Sequence, residues 1–464
     1  MKNNRRDFLK MGGASALTLA ANWEAQASEL NKGTAKASFN MSGYAAPKID
    51  TVRIGFIGVG NRGSGSVMRV NRVEGVETKA ICDKREVKAR ESAAKLEKMG
   101  IKVDLYYENE DSWKKMCDRP DIDLVYIATP WHLHTPMAVY AMKQGKHVAI
   151  EVPAAVTLEE CWQLVETSEA TKKHCMMLEN TCYDFFELLT LNMARQGYFG
   201  EIIHVEGAYL HDLRNQLMTD GSYSDNWRLK ENLRNGCLYP THGLGPVGQV
   251  LNLNRGDRMD YLVAVQSNDF TLHDIAVEQA KTNNYYQQFA DKKLRGNMDV
   301  TTIRTMKGKT IMIQHDVSTP RPYSRIHLVS GTNGIALKYP EPGRISDHKH
   351  EWVNEETMAK LQEQYTPPIV KKIGEMAKQV GGHGGMDFMM DWRLIDCLRN
   401  GIPLDQDVYD AALWSSVAPL SEASVKNRSK SIDVPDFTRG NWKTNEPVDI
   451  TMSKGGNTGI RKFN

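Results

Sequence analysis

Val52-Arg53-Ile54-Gly55-Phe56-Ile57 runs directly into Gly58-Val59-Gly60-Asn61-Arg62-Gly63. An apolar strand ending in GxGxxG, with a helix to follow, is the context a dinucleotide-binding loop requires. Gly58 permits the tight turn, Gly60 lets the backbone approach a pyrophosphate, and Gly63 lets helix and strand pack closely. The helix N-terminus then faces the phosphates. Asn61 and Arg62 lie within the same loop. The next apolar run, Thr78–Cys82, ends at Asp83, about twenty residues past the last glycine, where an acid takes the ribose hydroxyls. Asp83 favours NAD over NADP, although Lys84 and Arg85 follow at once.

Outward from this loop the pattern alternates strand and helix. Arg85–Met99 reads as an amphipathic helix, Leu124–Ala128 as a buried strand and Pro136–Gln144 as a helix. Lys146–Glu151 is a further strand and Cys175–Glu179 a last short one. Thr157–Lys172 is a helix, capped by Thr157 with Glu160 three residues on. Such alternation predicts a Rossmann doubly wound parallel sheet over residues 49–180. From about residue 200 the strands become mostly antiparallel: Ile202–Leu210, Asp260–Gln266, Val300–Met306, Thr310–His315 and Arg325–Val329. Met306–Thr310 reads as a hairpin turn. Helices return at Met386–Arg399 and Val408–Lys426. The expected architecture is α/β, with a C-terminal α+β domain over 181–464 built on an open, mostly antiparallel sheet. Its last helices should pack back toward the Rossmann domain.

The first residues read as a leader. Arg5-Arg6-Asp7-Phe8-Leu9-Lys10 is a twin-arginine pattern, followed by a weakly apolar stretch and a small-residue site at Ala25-Gln26-Ala27. Residues 1–27 are therefore expected to direct export to the periplasm, and residues 28–48 to form a flexible lead-in. Removing 1–27 takes four basic and two acidic side chains, which brings the net charge from +2 to zero. The apparent basicity belongs to the leader, so nucleic acid is not an expected partner. No apolar run reaches membrane-spanning length. The seven cysteines lack a framework spacing and read as buried thiols.

Ligands of a doubly wound sheet bind at the carboxyl ends of its strands. There stand Thr129-Pro130-Trp131-His132-Leu133-His134, Glu151-Val152-Pro153 and Glu179-Asn180-Thr181-Cys182-Tyr183. His132 and His134 form an HxH pair, but no third ligand stands at a familiar spacing, so no metal is expected. Farther on, Tyr239 and His242 are three residues apart and would share one helix face. His242 could serve as a general acid or base; a packed histidine under a loop is the competing reading.

The glycine loop, Ala128-Thr129-Pro130, His134, the Glu151-x-Pro153 step and His242 resemble the Gfo/Idh/MocA superfamily of oxidoreductases. In that superfamily the step is usually Glu-Lys-Pro, and its lysine assists proton transfer. Here Val152 stands at that position, which argues against an ordinary sugar dehydrogenase. The closer resemblance is to glycoside hydrolase family 109, the NAD-dependent α-N-acetylgalactosaminidases. It is carried by Thr157–Trp162, Leu178–Tyr183, His211–Arg214, Asn226–Arg228, Tyr239–Gly243, Arg321–Tyr323, Gly381–Asp387 and Val417–Glu422. This resemblance implies that Asn61, Arg62, Asp83, Trp131, His132, Leu133, His134, Glu151, Val152 and Asn180 contact NAD. Tyr239 and His242 would lie where cofactor and sugar meet. Tyr209, Arg228, Tyr239 and Tyr323 would hold the sugar, and Tyr183 or His242 would move the proton. The implied reaction is oxidation at C3, removal of the C2 proton, elimination at C1, addition of water and reduction at C3, with retention. The substrate would be a small glycoside or a glycan-terminal sugar. Two other readings share the fold: an exported sugar oxidoreductase with tightly bound NAD(P), and a non-catalytic sugar-binding protein. The open second sheet offers a surface for a homo-oligomer.

Overall fold

A computed structural model describes residues 39–219 and 224–462. The leader read over 1–27 lies outside the described residues. Six strands form the first sheet: β1 (Val52–Ile57), β2 (Val76–Cys82), β3 (Asp104–Tyr106), β4 (Leu124–Ile127), β5 (His147–Ile150) and β6 (Cys175–Met177). Their order is β3-β2-β1-β4-β5-β6, and every pairing is parallel. This is the Rossmann order. β4 and β5 are buried along their whole length, as strands covered by helices on both faces must be. Thr157 caps the helix Leu158–Thr171 in a full capping box with Glu160, an arrangement that stabilises the helix by about 1 kcal/mol.

The second sheet has eight strands: β7 (Ile202–Leu210), β8 (Met259–Gln266), β9 (Asp299–Thr305), β10 (Thr310–Asp316), β11 (Leu328–Gly331), β12 (Gly334–Leu337), β13 (Arg344–Asp347) and β14 (Ile432–Asp433). The order is β13-β12-β11-β7-β10-β9-β8-β14. β7 and β10 pair in parallel, whereas the other neighbours are antiparallel. The strand predicted at Arg325–Val329 starts later, at Leu328, because Ile326 and His327 hold positive φ of 62° and 44°. An L residue in that region cannot continue a strand.

One apolar core runs through both sheets, from Val52 and Ile127 to Ile311 and Val329. The helix Val408–Lys426 packs on both Leu158–Thr171 and β8, and the helix Met386–Asn400 packs on Asn61–Val70. Residues 39–48, the end of the expected flexible lead-in, are instead packed. Met41 is buried and its amide donates to the Tyr409 hydroxyl. The Ala46 amide meets His174, and the Ile49 amide donates to the Leu398 carbonyl. At the other end, Glu74 and Arg461 exchange backbone hydrogen bonds with Gly459 and Arg72. All seven cysteines are buried and unpaired. Among the described residues no helix is long and apolar enough to cross a membrane, and no cluster suited to a metal ion occurs.

Candidate active site

The glycine loop is built by contact of main chain on main chain. Gly58 has φ 83°, and a Cβ there would lie 2.6 Å from the Ala128 carbonyl oxygen. A Cβ on Gly63 would lie 1.9 Å from the carbonyl oxygen of Gly58. Gly60 precedes the helix Asn61–Val70, which has no side-chain cap and no acid in its first turn. A helix N-terminus without a capping side chain suits an anion. Asp83 follows β2, and its Oδ2 accepts from the Val59 amide at 3.0 Å. The Arg85 guanidinium pairs with the same carboxylate at 3.2 Å. A dinucleotide fits these residues: a bare helix N-terminus for the pyrophosphate and a fixed acid for the ribose. Asn180 adds to the fit, since its buried Oδ1 has no protein partner.

The next two strand ends are tied together. His134 is buried, with Nδ1 2.7 Å from the Pro153 carbonyl oxygen and Nε2 2.8 Å from that of Thr129. The ring lies between the carbonyls that follow β4 and β5, and in its neutral form its one N–H donates to one of them. His132 beside it is exposed, and Leu133 packs on the core. Val152 is 5% exposed and belongs to the core. Glu151 pairs with Arg62 at 2.6 Å, and Arg62 continues to Asp387 at 2.7 Å. His383 and Asp387, from the glycine-rich turn, therefore join this edge: His383 Nδ1 lies 2.9 Å from Asp387.

On the second domain's side an aromatic cluster faces the same edge. The Tyr209 and Tyr239 rings are 4.6 Å apart, and His242 lies 5.3 Å and 4.8 Å from them. Tyr323 joins at 6.3 Å from Tyr209, and Trp131 stacks on Tyr239 at 5.5 Å. Arg228 lies over the faces of Trp131 and Trp227, at 5.4 Å and 4.6 Å. Two glycines create this proximity. The helix Thr241–Val250 rests on β7 so closely that a Cβ on Gly207 would come 2.3 Å from the Gly243 carbonyl oxygen. Trp131, Tyr209, Arg228, Asn232, Leu238 and Tyr239 line a recess beside the cluster.

Glu179 is the residue the sequence reading left out of the site. It follows β6, is wholly buried, and its Oε1 lies 2.7 Å from His242 Nδ1. The Thr181 amide and hydroxyl donate to the same oxygen. Burial would raise this carboxyl, but His242 and Thr181 hold it below its usual value. The other face of His242 meets the Tyr239 hydroxyl, 3.4 Å from Nε2. A carboxylate on Nδ1 and a phenol hydroxyl beside Nε2 give a ring with the partners of an acid–base group. His211, also absent from the expected site residues, partners the Tyr209 hydroxyl at 3.1 Å.

Tyr183 is not brought to this cluster. It ends the turn Asn180–Tyr183 and is buried with its hydroxyl donating to Asp405 Oδ2 at 3.2 Å. Asp405 is in turn held by Arg393. Burial and the neighbouring Asp405 charge push the Tyr183 phenol far above its ordinary range. Burial also raises Tyr239 strongly and brings Tyr209 to about 12. These phenols stay protonated near neutrality and can act as hydrogen-bond donors.

The description "Oxidoreductase family, NAD-binding Rossmann fold" matches residues 52–179, and "Glycosyl hydrolase 109, C-terminal domain" matches 183–444. A glycosyl hydrolase family 109 protein of Shewanella pealeana is 47% identical over 97% of this chain and 99% of its own. The chain belongs to glycosyl hydrolase family 109. It is a glycosidase carrying an NAD-binding Rossmann domain. The α-N-acetylgalactosaminidase of Bacteroides fragilis is 50% identical over 86% of this chain and 95% of its own. The fold is shared with a levoglucosan dehydrogenase solved with NADH and levoglucosan, at TM-score 0.62 and 18% identity over 83% of this chain and all of that one. An apo scyllo-inositol dehydrogenase of Lactobacillus casei aligns at TM-score 0.58 and 13% identity, over 84% of this chain and all of that one.

Proposed function

We propose that this family 109 chain removes terminal α-N-acetylgalactosamine, or a closely related α-glycoside, with retention at C1. The proposed cycle is redox-neutral: oxidation at C3, elimination at C1, addition of water, and reduction at C3. The observation that carries this reading is the Glu179–His242 pair set against the Tyr209–Tyr239 cluster at the cofactor edge. The similarity to the Bacteroides fragilis enzyme supports the choice of sugar. The chemistry that bound NAD supplies is reversible hydride transfer, with C3 as the carbon oxidised and later restored. Asn61, the bare helix N-terminus, Asp83 and Asn180 would hold it.

The remaining work belongs to side chains. With C3 at the ketone level the C2 proton is acidified, and His242 is the group proposed to take it. Glu179, fixed on Nδ1, stabilises the positive ring that results. The C2 anion expels the C1 substituent as its oxyanion, water adds to C1 of the enone and its released proton neutralises that oxyanion, and His242, after exchanging its proton with solvent, delivers one to C2. Tyr239 and Tyr209 donate hydrogen bonds to the sugar, and Arg228 presents a planar donor fork from over two adjoining indoles. A conventional glycosidase needs two carboxylates at the glycosidic bond. Glu179, the carboxylate beside this cluster, is bound to His242 instead. Val152 contributes no proton relay, which disfavours a sugar oxidoreductase.

The test is turnover of a nitrophenyl α-N-acetylgalactosaminide in D₂O without added NAD. Nitrophenol release with deuterium at C2 is expected; release without exchange at C2 would sink the elimination route. Export by the twin-arginine route to the periplasm is part of this proposal. Arg5→Lys with Arg6→Lys should leave the full-length chain in the cytoplasmic fraction, and unchanged periplasmic recovery would refute it.

A further inference from the structure

The helices Asn61–Val70 and Met386–Asn400 are joined through Arg69–Asp391 and Arg62–Asp387, and Arg69 also reaches Asp387 Oδ2 at 3.6 Å. Arg69 Nε lies 3.1 Å from Asp391, whose other oxygen accepts from the Tyr126 hydroxyl at 3.1 Å. That pair ends in the core. The other pair ends at the cofactor edge. Asp387 Oδ2 accepts from Arg62 Nη1 at 2.7 Å, and Oδ1 from Arg62 Nη2 at 3.2 Å. Oδ1 also accepts from Asn180 Nδ2 at 2.6 Å. Arg62 stands in the first helical turn after the glycine loop and reaches Glu151 at the end of β5, while Asn180 follows β6. One carboxylate, 1% exposed and more than 200 residues farther along, thus touches two of the loops that border the nucleotide.

An ionised carboxylate only accepts. Burial opposes its charge, yet His383, Arg62 and Arg69 hold Asp387 far below the carboxylate range. Asn180 must therefore turn its NH₂ toward Asp387 and present Oδ1 the other way. That Oδ1 is the buried atom without a protein partner. The geometry points to Asp387 as the positioning residue of the cofactor site. It sets Asn180 as an acceptor for a hydroxyl or amide N–H of the nucleotide, and it fixes Arg62 beside the glycine loop. Substitution by Asn would let the Asn180 amide rotate, since an amide can donate as well as accept.

The test compares three variants of the full chain, each purified with its nucleotide: Asp387→Asn, Asp387→Glu and Asp391→Asn. Release of NAD into a nucleotide-free buffer is followed, together with thermal unfolding. Asp387→Asn should release NAD about tenfold faster or more, the scale of one lost charge-assisted hydrogen bond. Asp387→Glu keeps the charge and the fold but displaces the carboxylate, and should release faster than the parent by a smaller factor. Asp391→Asn should unfold at lower temperature with parental release. Parental release in both Asp387 variants would overturn the assignment. So would release from Asp391→Asn as fast as from Asp387→Asn, because the role would then be merely structural.

Discussion

Replacing Glu179 by Gln keeps the shape of the site but removes the negative charge 2.7 Å from His242 Nδ1. Turnover should fall by about a hundredfold or more, while NAD stays bound. His242→Ala should cost about 10²–10⁴-fold, the usual range for a lost acid–base group. Tyr183→Phe should change turnover little, because its hydroxyl serves Asp405. Steady-state kinetics of the three variants, with nucleotide content measured alongside, checks all of this; a Tyr183→Phe variant as damaged as His242→Ala would contradict the assignment. Gly58, Gly63 and Asp83 were legible in the sequence because their roles depend on local backbone geometry. Glu179 and His242 are 63 residues apart, and nothing local announces that they pair. The position of Glu179 after an apolar strand was the available signal. The place of Tyr183 was hidden for a related reason: side-chain direction at the end of a short turn is set by tertiary packing, here by Asp405.

At the scale of elements, the contact between β7 and the helix Thr241–Val250 sets the aromatic cluster. A methyl at Gly207 or Gly243 would collide with main-chain atoms 2.3 Å and 2.2 Å away. Gly207→Ala should force helix and strand apart and lower stability by about 1–3 kcal/mol. Turnover should fall as well, since Tyr209 and His242 sit on the two separated elements. Chemical denaturation beside kinetics tests this; unchanged values in both would mean that the helix has other room to move. Long periodic elements such as β7 and the helix Val408–Lys426 were readable over their full span. β3, β12, β13 and β14 have two to four residues each, too few to show a period. Their pairing is decided by neighbours far away in the chain.

At the scale of the whole molecule, five buried histidines should govern the acid limit. Burial lowers His174 to about 4 and His327 to about 3, sends His147 and His315 well down from 6.5, and lowers His134. An unfolded chain takes up these protons near pH 6.5 and the native chain does not. Stability is therefore full above pH 6.5 and is lost as the pH falls from there toward 4. His174 alone should account for about 3 kcal/mol over that interval. Urea denaturation at pH 7 and pH 5 should show the loss, and His174→Phe should reduce it; an equal loss in that variant would refute the role of His174.

The segments near each end of the described chain bind to elements far away in the sequence. Residues 41–49 are fastened to the helices at Leu398 and Tyr409, and Gly459–Arg461 to the turn after the glycine-loop helix. Either end can leave the core only by first breaking these hydrogen bonds, so residues 41–49 and 459–461 should be protected from hydrogen exchange together with the elements they are tied to.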